Sequence, residues 1–162
     1  MKKFAYEFKW AAIFTACSVI WTAFEKSMGW HDEFIARQNS YSMIFGFVAV
    51  TLYFLALSDK KKNHYDGRIN WVQGFLSGMV LTVMIAALMP LALYASLTTV
   101  SPDFLANMKA HALSKGLMTP EIADTFYNLN SYITYSVFFA LSTGVVTSAV
   151  VALLVRSKKL KP

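Results

Sequence analysis

Four apolar runs, at about residues 10–28, 41–57, 72–97 and 132–155, constrain this chain more than any motif in it. Crossing about 30 Å of hydrocarbon takes about 20 helical residues at ~1.5 Å each. The polar segments between the runs fall into two sets of opposite charge. Residues 1–9, 58–73 and 156–162 hold eleven of the fifteen Lys and Arg residues, against Glu7, Asp59 and Asp66. Residues 25–40 and 98–131 hold four basic residues, against Glu25, Asp32, Glu33, Asp103, Glu121 and Asp124. The two sets therefore carry +8 and −2. Basic loops stay in the cytoplasm. The expected topology puts both termini inside and residues 25–40 and 98–131 outside.

Composition agrees with that reading. Only 15% of the residues are charged and 56% are hydrophobic, whereas a soluble domain carries about a quarter charged residues. The whole chain of 162 residues reads as one integral membrane domain. A basic balance can mark a nucleic-acid binder, but here the charge sits beside apolar runs, where it sets orientation and attracts anionic headgroups. The bilayer is the expected partner, and nucleic acid is excluded. Lys2 and Lys3 before an apolar run resemble a signal peptide, and Phe14-Thr15-Ala16-Cys17 is a poor copy of a lipoprotein cleavage site. The run continues well past Cys17, so an uncleaved spanning helix is expected, with Cys17 as a small packing residue.

Local signals place the helix ends. Gly29-Trp30 closes the first run, and Asp59-Lys60-Lys61-Lys62 closes the second. Asn70 with Gln73 three residues later resembles a capping box for the third. Pro90 interrupts that run and predicts a kink near Ala86–Pro90, read first as a static bend and second as a hinge or unwound ligand site. In the external segment 98–131, Ser101-Pro102-Asp103 reads as a helix start and Gly116 as a helix stop. Phe104, Leu105, Met108 and Ala112 form one face of this short amphipathic helix. Thr119-Pro120-Glu121 is a second start, from which a helix is expected to continue into the fourth run.

Small residues recur every four positions in two runs: Gly74, Gly78, Thr82, Ala86 and Pro90, and Ser136, Ala140, Gly144, Ser148 and Ala152. Apolar burial does not drive helices together inside a bilayer, so close backbone approach at small residues must do so. The stripes read as contact faces, against each other or against a partner chain. The expected fold is an all-α membrane protein, an antiparallel four-transmembrane-helix bundle with a short amphipathic helix in the second external loop. Short matches between the openings of runs one and three, Trp10-Ala11-Ala12-Ile13-Phe14 and Trp71-Val72-Gln73-Gly74-Phe75, are compatible with chance or duplication.

Chemistry is sparse. Phosphate-binding, dinucleotide, zinc-protease and nucleophile-elbow motifs are all absent from the sequence. No cofactor, catalytic residue or metal ligand is expected from any of them. No Asp, Glu, Lys, Arg or His lies at the centre of a run, where ion and proton pathways place them. The one dense polar cluster is Glu25, His31, Asp32 and Glu33, with His111 available from the second external loop. Its plainest reading is a solvated loop with surface acids. A structural clamp between the two external loops comes next, and a divalent-metal or acid–base site last.

The pattern Glu25-Lys26…Gly29-Trp30-His31-Asp32-Glu33, then Ala56-Leu57-Ser58-Asp59-Lys60-Lys61, Trp71-Val72-Gln73-Gly74-Phe75-Leu76-Ser77-Gly78, Ser101-Pro102 and Gly144-Val145-Val146-Thr147-Ser148-Ala149, covers nearly the whole chain. It resembles a Bacteroidota family of small four-span membrane proteins known only as a domain of unknown function. The resemblance implies an inner-membrane location and brings no activity or site residues. The leading expectation is a non-enzymatic accessory or assembly subunit that works through contacts with a membrane-protein partner or a second copy. The alternative is a small-molecule or lipid transporter built on the Pro90-kinked third run.

Overall fold

A computed structural model describes residues 4–157. Lys2, Lys3, Lys158, Lys159 and Lys161, which contribute to the charge asymmetry, lie outside the described residues. The described chain is all-α, with α1 (Ala5–Ser27), α2 (Gln38–Ser42), α3 (Phe45–His64), α4 (Trp71–Ala95), α5 (Phe104–Ser114), α6 (Pro120–Phe126) and α7 (Leu129–Val155). Three helical stretches are long and apolar enough to cross a membrane: Ile35–His64, Trp71–Val100 and Leu129–Val155. The 23-residue α1 has comparable length but brackets its apolar stretch with Glu7, Lys9, Glu25 and Lys26. Phe47, Leu91 and Phe139 stand exposed on these helices, as side chains facing lipid would.

Helix ends follow local chemistry. Asn70 accepts from the Gln73 amide at 2.9 Å while the Gln73 side chain accepts from the Asn70 amide at 3.0 Å, completing the capping box of α4. Gly116, at φ +63°, closes α5: the Gly116 amide bonds to Leu113 and the Leu117 amide to Ala112. Two expectations and one secondary reading need correction. The lysine run does not stop the second run: α3 continues through it to His64, because Lys and Asn are compatible with helix once it leaves the bilayer. No helix runs unbroken from Pro120 into α7. Asn128 instead takes extended geometry and caps α7 through Ser131. Nor is α4 unwound at Pro90. It continues to Ala95, and the departure from α geometry is a π-helical turn at Ser96–Val100.

The long helices pack antiparallel along the chain order α1–α3 and α4–α7. Gly74 faces Ala152, Gly78 faces Ser148, and Gly144 faces Thr82. These three pairs run in opposite directions along α4 and α7. A Cβ on Gly78 would lie 2.7 Å from Ser148 Cβ, and one on Gly144 would lie 2.4 Å from Thr82 Cγ2. The glycines therefore set the interhelical distance. Ala86 is buried, whereas Pro90, Ser136 and Ala140 are only half-buried, so the tight seam lies toward the start of α4 and the end of α7. Tyr53 joins this seam from α3, its hydroxyl 2.8 Å from Thr82 Oγ1. Around it Phe14, Leu57, Leu81, Ile85 and Val151 form the main core.

Candidate functional site

The densest buried polar arrangement lies where α1 ends. Gly29, at φ +72°, lets the Gly29 amide bond to Lys26 and the Trp30 amide to Glu25. This left-handed closure turns the chain back over its own helix. His31 consequently lands on Glu25, with Nε2 3.2 Å from Glu25 Oε2. Its other nitrogen, Nδ1, lies 2.9 Å from Ser101 Oγ. Ser101 is carried there by the π turn, whose last bond runs from the Ser101 amide to the Ser96 carbonyl at 2.9 Å.

The Glu25 carboxylate is held from two further sides. Trp21 Nε1–H donates to Oε1 at 2.8 Å, and the Ser42 hydroxyl donates to the same oxygen. Gln38 Nε2 donates to Ser42 Oγ at 2.7 Å. His31 is 2% exposed, Glu25 5% and Ser101 0%. The ring of His31 packs on Phe104 of α5, centroids 4.5 Å apart. A cavity of about 50 Å³ adjoins this network, lined among others by Glu25, His31, Gln38, Ser96 and Tyr132.

The network also ties segment 25–40 to segment 98–131. Asn107 of α5 donates to the His31 carbonyl at 2.9 Å and to Asp32 Oδ1 at 3.0 Å. Asp32 is paired with Lys26 at 2.6 Å. Beneath α5, Phe104 and Met108 are buried with Leu97, and Tyr127 packs against them. Partial burial there pushes the Tyr127 phenol above its usual range.

The sequence-predicted cluster therefore divides. Glu25 and His31 are buried and bonded to each other. Their expected reading as solvated surface groups is wrong, because α5 and the π turn close over them. Asp32 and Glu33 remain exposed, and His111 is half-buried. Among the described residues no group of three or more His, Cys, Asp and Glu side chains is placed to hold a metal ion. Ser101, read from sequence as a helix cap, has no such role: α5 begins after Asp103 without a side-chain cap. Ser42 carried no sequence signal, since it lies in a different segment from Glu25; Trp21 and Gln38 meet Glu25 and Ser42 one helical turn away on the same helix, a spacing that could have marked them.

A second buried pair lies at the opposite end of α1. Glu7 and Lys60 are 3% and 6% exposed and joined by an ion pair. Glu7 Oε2 is buried without a hydrogen-bond partner among the described residues, beside a cavity of about 10 Å³ that reaches Ser77. Trp10 Nε1–H donates to Asp59 Oδ2 at 2.8 Å, and Lys9 pairs with the same oxygen. Lys61 Nζ donates to the Val155 carbonyl at 2.8 Å, satisfying the end of α7. Five residues read as orientation charges, Glu7, Lys9, Asp59, Lys60 and Lys61, thus hold α1, α3 and α7 together at that end.

No curated protein matches the chain, and no solved structure matches it. One family, described as "Protein of unknown function (DUF4199)", matches residues 9–157. That match spans nearly the whole chain, which therefore belongs to this family.

Proposed function

We propose that the chain is a four-span bacterial inner-membrane protein with both termini cytoplasmic. In this reading it acts without enzymatic chemistry, as an accessory or assembly subunit working through protein contacts. Helix pairing supports the fourth span. α1 lies against α3 along much of its length, from Lys9 beside Asp59, through Phe14 beside Tyr53, to Trp21 beside Phe45. A helix that follows a spanning neighbour over that distance shares its depth. The charge asymmetry supports the orientation.

The observation that carries the accessory role is how the outer polar groups are used. His31 and Ser101 reach no surface and join α1, the π turn and α5 to one another. They brace an outer cap made of α5 and α6, which displays Leu117 and Ile122 exposed. A braced cap with exposed apolar side chains suits presentation to another membrane protein or a second copy. Native mass spectrometry after mild detergent extraction tests this. The expected result is a complex of defined stoichiometry that Leu117→Asp together with Ile122→Asp disrupts; a lone monomer overturns it. The carrier reading has one supporting observation, the cavity lined by Leu93, Ser96 and Leu97 beyond Pro90. Its volume of about 50 Å³ is far below the ~300–1,000 Å³ of small-molecule sites, so the accessory reading is preferred.

A further inference from the structure

Glu7 has one carboxyl oxygen satisfied and one not. It is 3% exposed, and Lys60, 6% exposed, pairs with its Oε1. Its Oε2 is buried and has no hydrogen-bond partner among the described residues. Leaving such an atom unpaired costs free energy wherever the protons lie. As a carboxylate oxygen, Oε2 lacks a donor. With a proton on Oε2, that proton lacks an acceptor. With the proton on Oε1 instead, Oε2 is a carbonyl oxygen and again lacks a donor. Every arrangement needs one more partner, from outside the described side chains.

The cavity beside the pair selects that partner. Glu7 of α1, Lys60 of α3 and Ser77 of α4 line it, with Ala56, Leu57 and Leu81 as apolar walls. Its volume is about 10 Å³, and a polar cavity admits one water from about 10–15 Å³. The site thus has room for one non-hydrogen atom. Glu7 and Lys60 already balance each other, so a bound ion would bring an uncompensated charge into a buried place. Water is neutral, and it can donate to Oε2 or accept from it. It therefore serves all three proton arrangements.

The surroundings match what a buried water needs, which is about three hydrogen bonds. Glu7 Oε2 supplies the first. The Lys60 ammonium has three N–H donors and gives one to Glu7 Oε1, so it retains donors for a second acceptor. Ser77, 4% exposed, brings a hydroxyl that can donate or accept. We infer that one water molecule occupies this cavity and bridges Glu7 Oε2, Lys60 Nζ and Ser77 Oγ. Helices α1 and α4 are neighbours, yet among the described residues no side-chain hydrogen bond joins them directly. The water supplies that link and completes a polar junction of α1, α3 and α4. The site is independent of the accessory reading.

Ser77→Ala tests the bridge through thermal unfolding of the full-length protein in detergent. Loss of one hydrogen bond is expected to lower the midpoint by about 2–4 °C. The same substitution is then made beside Glu7→Leu and Lys60→Met, where the polar walls are gone. There it is expected to leave the midpoint unchanged. Ser77 and Glu7 share no direct hydrogen bond among the described residues, so the difference between the two backgrounds reports the bridging water. Equal shifts in both overturn the bridge. Should the apolar background fail to fold, a crystal structure of the native protein decides. It is expected to show one density peak about 2.5–3.0 Å from Glu7 Oε2. A protein group bonded to that oxygen, or a dry cavity in an ordered map, overturns the site.

Discussion

His31 and Glu25 sit six residues apart across a helix end, yet their side chains meet at 3.2 Å in a buried site. The contact exists because Gly29 adopts φ +72° and returns the chain over the last turn of α1. Ser101, seventy residues further on, completes it from the segment between α4 and α5.

Replacing His31 by Ala removes one partner from Glu25 and the one recorded partner from Ser101. Each stranded buried polar group costs about 1–3 kcal/mol, and the two together are expected to lower the unfolding midpoint clearly. The loss should be local at first. Hydrogen exchange is expected to rise in the segment 98–131 well before it rises in α4 and α7; uniform exchange would contradict the bracing role.

The glycines of α4 and α7 divide by what a methyl group would meet. Gly144→Ala and Gly78→Ala press on Thr82 and Ser148 at 2.4 and 2.6 Å, and overpacking of this kind costs about 1–3 kcal/mol. Gly74→Ala meets Ala152 Cβ at 3.1 Å and should cost less. Gly46 has nothing within 4 Å, so Gly46→Ala should be neutral or stabilise by about 0.5–1 kcal/mol through helix propensity. Unfolding midpoints in the order Gly46→Ala, Gly74→Ala, then the other two check the series. An inverted order would mean the seam is looser than drawn.

At the end of α1 away from His31, Lys60→Met strands Glu7 in a buried position. Breaking one half of a buried ion pair costs about 3–5 kcal/mol. The double replacement Glu7→Leu with Lys60→Met should recover most of that loss, since apolar substitutes of similar volume often do. A double replacement no better than the sum of the single ones would show that the pair is not the unit that matters.

Topology has a direct readout. A cysteine at Lys109 should react with a membrane-impermeant maleimide added to intact cells, and one at Lys62 should react only after lysis. Cys17 lies mid-helix in α1 and is replaced by Ala in the background. Reaction at Lys62 in intact cells would reverse the orientation.

Much of the fold was legible in the sequence because its rules are local. Helix starts at Asn70 and Thr119, helix ends at Gly29 and Gly116, and the every-fourth small residues of α4 and α7 all follow from backbone hydrogen bonding and helical spacing. The errors were local competitions decided by a neighbour. Asn128 could cap or continue, and it caps because Ser131 offers its amide at 2.9 Å. Ser101 could cap α5, and instead its hydroxyl goes to His31.

The candidate site was only half legible. Glu25, His31 and Asp32 were visible as a cluster, but their burial was not, because polar residues beside a glycine have the composition of a solvated loop. Sequence alone determined the long apolar helices and their charge bias, since hydropathy and helix length are properties of consecutive residues. Tertiary structure alone decided which of the polar residues leave water. That depends on α5 and the π turn closing over the end of α1, and on Glu7 meeting Lys60 across two helices. Such contacts join residues 53 to 76 positions apart, and their energy depends on desolvation that no single segment reports.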